Sequence, residues 1–287
     1  MKMDILHPYL RLYRADVAII TFFGYLFGVQ IAGPLDIKDC AIALAVSFIS
    51  VNFVYSLNAL TDREIDRINK PGRPIPSGKI DLKNVRLYVV LLFIISLLYP
   101  FLVFNTHLSL FLFLMLPLLG IFYSLEPIHL KRYFALASTT TSAILICPFL
   151  MGYTMNTASY EHIPVFFSLF LCGASVIPLK DIEDKVGDVT HGCTNWYFKL
   201  GLKGLLLFCF LALAFDMVFV LFVKIDPLLK AFLLIYIFSL ILILGLFAFF
   251  GWDPKKIYRS VIVDTIVMEV SLFFYYFCMN IGKTPFL

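Results

Sequence analysis

Residues 41–67 read AIALAVSFISVNFVYSLNALTDREIDR, an apolar run that passes without a break into a cluster of charge. The run belongs to a stretch, 38–61, long enough to cross a bilayer, for which a helix needs about 20 mostly apolar residues. If the helix continues, Asn58, Asp62 and Asp66 stand at i, i+4 and i+8, in one row on one face. Two carboxylates one turn apart repel, and a row of them partly inside a membrane protein needs a compensating cation. The stretch therefore predicts a membrane-spanning α-helix with a polar site at its end.

Working outward, apolar runs of spanning length recur near 15–33, 38–61, 85–104, 107–124, 134–156, 162–180, 202–224, 227–250 and 259–281. Nine such spans predict an all-α polytopic membrane protein, with the whole chain, 1–287, forming one domain. Composition agrees: 61% of residues are apolar and 15% charged, against roughly 45–50% and about 25% in soluble domains. Too few charges remain to cover a water-soluble globule. The formal charge of +4 is small and its basic residues are scattered, which excludes nucleic acid as a partner. Six cysteines without a C-x-x-C pair suggest neither a disulfide framework nor a zinc site. The N-terminus shows no A-x-A-like cleavage pattern, so the first helix is expected to be retained. No obligate protein partner is evident, and membrane lipid is the expected surrounding.

The connections alternate in character. Those on one side carry 19 of the Lys and Arg residues, and those on the other carry Lys38, Lys224, Lys230 and Lys283. By the positive-inside rule the N-terminus is expected in the cytoplasm and, after nine spans, the C-terminus outside. Two connections on the basic side, about 62–84 and 181–201, are long and rich in both acids and bases. The second opens KDIEDKVGD, residues 180–188, again at the end of an apolar run. Its Asp181, Asp184 and Asp188 follow i, i+3 and i+7, one helix face. Either segment alone could be a solvated helix end whose acids pair with Arg63, Arg67, Lys180 and Lys185. Two of them, both expected at cytoplasmic helix ends, favour a site. Hard divalent cations, held by carboxylate oxygens and shared with phosphate oxygens, meet the charge requirement. Asp62 to Asp184 and Asp66 to Asp188 have the same offset, which hints at a repeat of four helices. Gly24-x-x-x-Gly28 suggests close helix packing. Asp216, Asp264 and Glu269 fall inside predicted spans, where acids are functional candidates by default.

Together these residues resemble the UbiA superfamily of intramembrane prenyltransferases. Its first motif has an Asn followed by Asp at four and eight residues, and its second the form D-x-x-D-x-x-x-D. Residues 66–78, DRINKPGRPIPSG, are similar to the proline-bearing loop after the first motif, and residues 123–132, YSLEPIHLKR, to the loop after the fourth helix. Ala59 departs from members that carry a second Asp beside the Asn. The resemblance implies nine helices around a central cavity under a cytoplasmic polar cap. It implies Mg2+ held by Asn58, Asp62, Asp66, Asp181, Asp184 and Asp188, and an isoprenyl diphosphate, geranylgeranyl or longer, as donor. Arg73, Lys131 and Tyr123 are then candidates to bind the diphosphate. Lys131 and Tyr123 are the candidates for catalysis, and Arg14 for binding a lipophilic acceptor. The 66–78 loop is most like that of archaeal members that alkylate a glycerol hydroxyl of geranylgeranylglyceryl phosphate in ether-lipid synthesis. The 123–132 loop is equally like that of members prenylating quinone or chlorophyll precursors. A terpene cyclase of the same family remains open. A cation transporter is disfavoured because transporters hold ions near the bilayer midplane.

Overall fold

The computed structural model describes residues 8–9, 12–104, 106–157, 159–251, 253 and 255–280, and among these every regular element is helical. Nine helices are long and apolar enough to cross a membrane among the described residues. They are α1 (Ala15–Ala32), α2 (Ile37–Thr61), α3 (Leu82–Val103), α4 (His107–Ser124), α5 (Phe134–Asn156), α6 (Ile163–Thr190), α7 (Trp196–Phe222), α8 (Pro227–Phe250) and α9 (Lys255–Asn280). Lys2, Arg11, Lys283 and the end of the expected ninth span lie outside the described residues.

Small residues set the centre of the bundle. A Cβ added at Gly28 would run into the backbone carbonyl of Phe149, and one at Gly152 into that of Tyr25. Helices α1 and α5 therefore cross with their backbones in close approach, the geometry that glycine permits in membrane bundles. Gly24 gives room to the Phe149 ring, which meets Phe27 edge-on at 6.1 Å. This central pair belongs to two cores. Leu26 and Met151 pack with α2, α3 and α4, whereas Phe27 and Phe149 pack with α6 through α9. The outer faces stay apolar and exposed, as at Leu87, Val90, Leu91, Ile94 and Leu98 of α3, where lipid takes the place of protein neighbours.

The helices depart from the expected spans where charge and glycine act locally. Helix α6 does not stop at residue 180. It tightens into a 3-10 turn, Ile177–Lys180, around Pro178 and continues as an α-helix through the second acidic motif, Asp181–Thr190. Helix α7 starts at Trp196, six residues before the expected 202, because Asn195 caps it, accepting from the Phe198 N–H at 3.3 Å. Gly201 (φ 65°) then kinks it where the expected span begins. Helix α2 ends at Thr61, and a short helix, Arg63–Asn69, follows after Asp62 leaves helical geometry. The i to i−4 bonds from Asp62 N to Asn58 O (2.8 Å) and Asp66 N to Asp62 O (2.7 Å) nevertheless persist. The acidic row is thus bent but not broken.

Candidate active site

The short helix Arg63–Asn69 and the last turns of α6 lie against each other at one end of the bundle. Asn69, one turn beyond Asp66, makes the join: its Nδ2 donates to the Asp184 carbonyl and its Oδ1 accepts from the Gly187 N–H, both at 2.7 Å. Gly187 allows the approach, since a Cβ there would come within 2.7 Å of the Ile65 carbonyl oxygen. The two motifs, 122 residues apart in sequence, thereby face one cleft.

Two loops close over it. In residues 70–81 the chain folds on itself through Arg73 N to Lys70 O (3.0 Å) and Ser77 N to Arg73 O (3.0 Å), with Gly78 at φ 70°. This returns Arg73 to Asp66, Nη1 to Oδ2 at 2.6 Å. In residues 125–133, a left-handed His129 leads into the 3-10 turn Leu130–Arg132. The Arg132 carbonyl anchors that turn by accepting from Thr194, N–H at 2.9 Å and Oγ1 at 2.6 Å. Lys131 then points inward, its side chain 12% exposed, with Nζ 2.5 Å from Asp62 Oδ2 and 3.8 Å from Asp188 Oδ1. One ammonium thus touches carboxylates of both motifs. Lys70 pairs with Asp184, so all four inward acids meet a cation.

Electrostatics follow from this arrangement. Burial lowers the proton affinity of the Lys131 ammonium, but the Asp62 carboxylate, with Tyr123 and Asp188, outweighs it and holds Lys131 well above the ordinary lysine value. Burial pushes the Asp66 carboxyl up, against the pull of Arg73.

The cleft is lined by Arg14, Asn58, Asp62, Asp66, Arg73, Tyr123, Lys131, Asp184 and Asp188, the residues singled out from sequence save one. Asp181 is the exception. Its Oδ2 accepts from the Trp196 backbone N–H at 2.8 Å, and it does not line the cleft. The physical reason is its place in the first turn after the 3-10 segment, where it satisfies the start of α7. Lys70, Lys180, Glu183 and Asn69 line the cleft without having been singled out as site residues. Asn69 was available from spacing, three residues after Asp66. From sequence, Lys70, like Arg67 and Arg132, reads as an ordinary interfacial charge, and Lys180 only as a pairing partner for the motif acids. Arg67 and Arg132 do pair locally, with Glu64 at 2.5 Å and Glu126 at 2.5 Å.

A second, apolar chamber adjoins the cleft, and Tyr55, Thr141 and Tyr258 line both. Along α9 its wall runs through Val261, Ile262, Thr265, Met268 and Leu272, one helix face. An anionic head and a long apolar tail therefore have adjoining compartments.

The family model of the UbiA prenyltransferase family matches residues 17–275. The chain belongs to that family. It is an integral membrane prenyltransferase. A digeranylgeranylglyceryl phosphate synthase of Methanobrevibacter smithii is 32% identical over 208 residues, covering 69% of this chain and 71% of that protein. One of Methanocaldococcus jannaschii is 30% identical over 215 residues, 73% of each chain. The solved structure of a UbiA homologue of Archaeoglobus fulgidus, bound to GPP and Mg2+, superposes with a TM-score of 0.78 over 94% of this chain and 98% of that one. At 17% identity it shows a shared fold.

The donor set in this UbiA cleft fits a hard cation. Four carboxylates face inward, and the Asn58 Oδ1 is a buried oxygen with no hydrogen-bond partner. No three His, Cys, Asp or Glu side chains among the described residues converge on one metal position. Mg2+ does not require such a cluster, since it takes one or two carboxylates and completes its octahedron with water and phosphate oxygens.

Proposed function

We propose that this protein transfers a prenyl group, geranylgeranyl or longer, from its diphosphate to the glycerol hydroxyl of a prenylglyceryl phosphate in ether-lipid synthesis. Asn58, Asp62, Asp66, Asp184 and Asp188 hold Mg2+ in this reading, and Lys70, Arg73, Lys131 and Tyr123 meet the diphosphate. The observation that carries it is Lys131, set between Asp62 and Asp188 at 2.5 and 3.8 Å, because it puts both acid rows and a buried cation around one point. The names of the archaeal relatives supply the acceptor class.

The donor C1–O bond breaks with its electron pair going to the diphosphate. The acceptor oxygen forms the new C–O bond and loses its proton to the departing diphosphate. Bound Mg2+ supplies Lewis-acid stabilisation of the leaving group. Lys131 and Arg73 stabilise the same growing charge from a site largely closed to water. The chamber excludes water from the allylic cation, and the rings of Tyr55 and Tyr258 at its entrance offer it a negative face.

The cleft lies at the end of the bundle bearing the Lys- and Arg-rich connections, so the reading sets it in the cytoplasm. A cysteine placed within 72–78 should then be labelled from the cytoplasmic side only, and one at 157 from the other only. Purified protein, geranylgeranyl diphosphate, geranylgeranylglyceryl phosphate and Mg2+ should yield the doubly prenylated lipid by mass spectrometry. A cyclised hydrocarbon, or prenylation of an aromatic acceptor alone, would refute the proposed acceptor.

A further inference from the structure

We propose that Lys180 holds the phosphate of the acceptor, a task distinct from that of the cations that meet the donor. The inference rests on the acceptor class proposed above. It starts from a difference among the basic side chains of the cleft. Lys70, Arg73 and Lys131 each face a motif carboxylate within ion-pair distance. Arg14 also lines the cleft, but both arms of its guanidinium are taken by Asp16, Nε to Oδ1 at 2.9 Å and Nη2 to Oδ2 at 2.6 Å. Lys180 forms no ion pair among the described residues, and its Nζ donates to the Tyr123 hydroxyl at 3.2 Å. A half-buried ammonium in a membrane bundle is costly without a counter-ion, and an arriving anion relieves that cost.

Position makes the anion the acceptor's. The 3-10 turn Ile177–Lys180 ends α6's apolar stretch and delivers Lys180 to the cleft wall beside Tyr123. Tyr55 and Tyr258 line the cleft together with Lys180 and continue into the chamber. Lys180 therefore stands by the passage between the compartments, whereas the paired cations cover the motif acids. Two anionic substrates must meet here with a hydroxyl of one against C1 of the other. Separate cations keep the acceptor phosphate from competing for the donor's place. Tyr123, accepting from Lys180, fixes the direction in which the ammonium points.

The test uses the full-length protein in detergent with Mg2+ and geranylgeranyl diphosphate. Its acceptors are geranylgeranylglyceryl phosphate and the same lipid lacking the phosphate. Lys180→Met should raise KM for the phosphorylated acceptor by roughly 10- to 100-fold, the range for losing a hydrogen bond to a charged group. Binding of an unreactive thiodiphosphate donor analogue should change far less, and Lys180→Arg should recover most of the loss. The wild type's preference for the phosphorylated lipid should collapse in Lys180→Met. Should that variant not fold, Lys180→Gln gives the same comparison. An unchanged acceptor KM, or a donor-analogue Kd weakened as much as the acceptor KM, overturns the assignment while the proposed function stands. A wild type that prenylates neither lipid overturns both.

Discussion

Replacing Lys131 by Met keeps much of the apolar stem and removes the charge between the two motifs. Its side chain is 12% exposed and lies 2.5 Å from Asp62, so water screens it little and cannot substitute for it. If the ammonium stabilises charge growing on the departing diphosphate, its loss should lower kcat by about 10²–10³, or about 2.7–4 kcal/mol, as for other preorganised donors. An interfacial lysine serving only as an orientation signal contributes about 0–1 kcal/mol, less than about tenfold in rate. The substitution also leaves Asp62 and Asp188 facing each other, and breaking a buried pair costs on the order of 3–5 kcal/mol. The melting temperature should therefore fall in chelator and recover in part with Mg2+, which supplies the missing charge. Steady-state kinetics at saturating donor, with binding of a thiodiphosphate analogue measured separately, distinguish the two roles, since an interaction that strengthens in the transition state lowers kcat more than donor affinity. A kcat within about threefold of wild type in saturating Mg2+ would refute the catalytic reading and leave Arg73 as the stronger candidate.

Asp62→Ala, Asp66→Ala, Asp184→Ala and Asp188→Ala should each nearly abolish product formation in folded protein, and excess chelator should do the same to the wild type. Asp181→Ala should instead lower the melting temperature and spare more of the activity, because its carboxylate serves the Trp196 N–H; equal inactivation of all five would show that Asp181 belongs to the site. Gly187→Ala drives a methyl group toward the Ile65 carbonyl, to 2.7 Å before relaxation, and should weaken binding of the donor analogue by separating the motifs. Gly28→Ala and Gly152→Ala press on backbone across the central helix pair, so thermal unfolding in detergent should fall by an overpacking cost of about 1–3 kcal/mol or more, and unchanged melting would contradict the close crossing.

The spans were legible because membrane burial demands long apolar helices and little else. The acidic rows were legible because helix spacing puts their members on one face. Sequence spacing is blind to a partner that arrives from another element. Asp181 shares its α-helix with Asp184 and Asp188, but its carboxylate accepts from the Trp196 N–H at the start of α7 at 2.8 Å. Spacing is equally blind for Lys70, since the fold of the proline-bearing loop decides which acid a loop lysine reaches. Asn69 was within reach of spacing, but its partners, the Asp184 carbonyl and the Gly187 N–H, exist only once the motifs meet.

Acids inside predicted spans mark functional sites by default, and apart from Glu269, which lines the chamber with its Oε2 unpartnered among the described residues, this chain separates that rule into two cases. Asp216 is fully buried, yet its Oδ2 faces the Ser168 hydroxyl at 3.2 Å and the Cys172 thiol at 3.0 Å. Asp264 accepts from Ser239 at 2.7 Å. These are neutral donors on neighbouring helices, so the two acids join α7 to α6 and α9 to α8 as polar contacts of the kind that hold membrane helices together. At the cleft each acid faces Lys or Arg instead. The distinction is one of charge: hydroxyl and thiol partners can hold an acid in place, whereas ammonium and guanidinium partners offer charge that a phosphate can also take. On the proposed reading, metal and diphosphate chemistry falls at the end of the bundle where Lys70, Arg73, Lys131 and Lys180 line the cleft. The same division explains why helical periodicity, blind to the partner across the helix, gave the two kinds of acid equal standing.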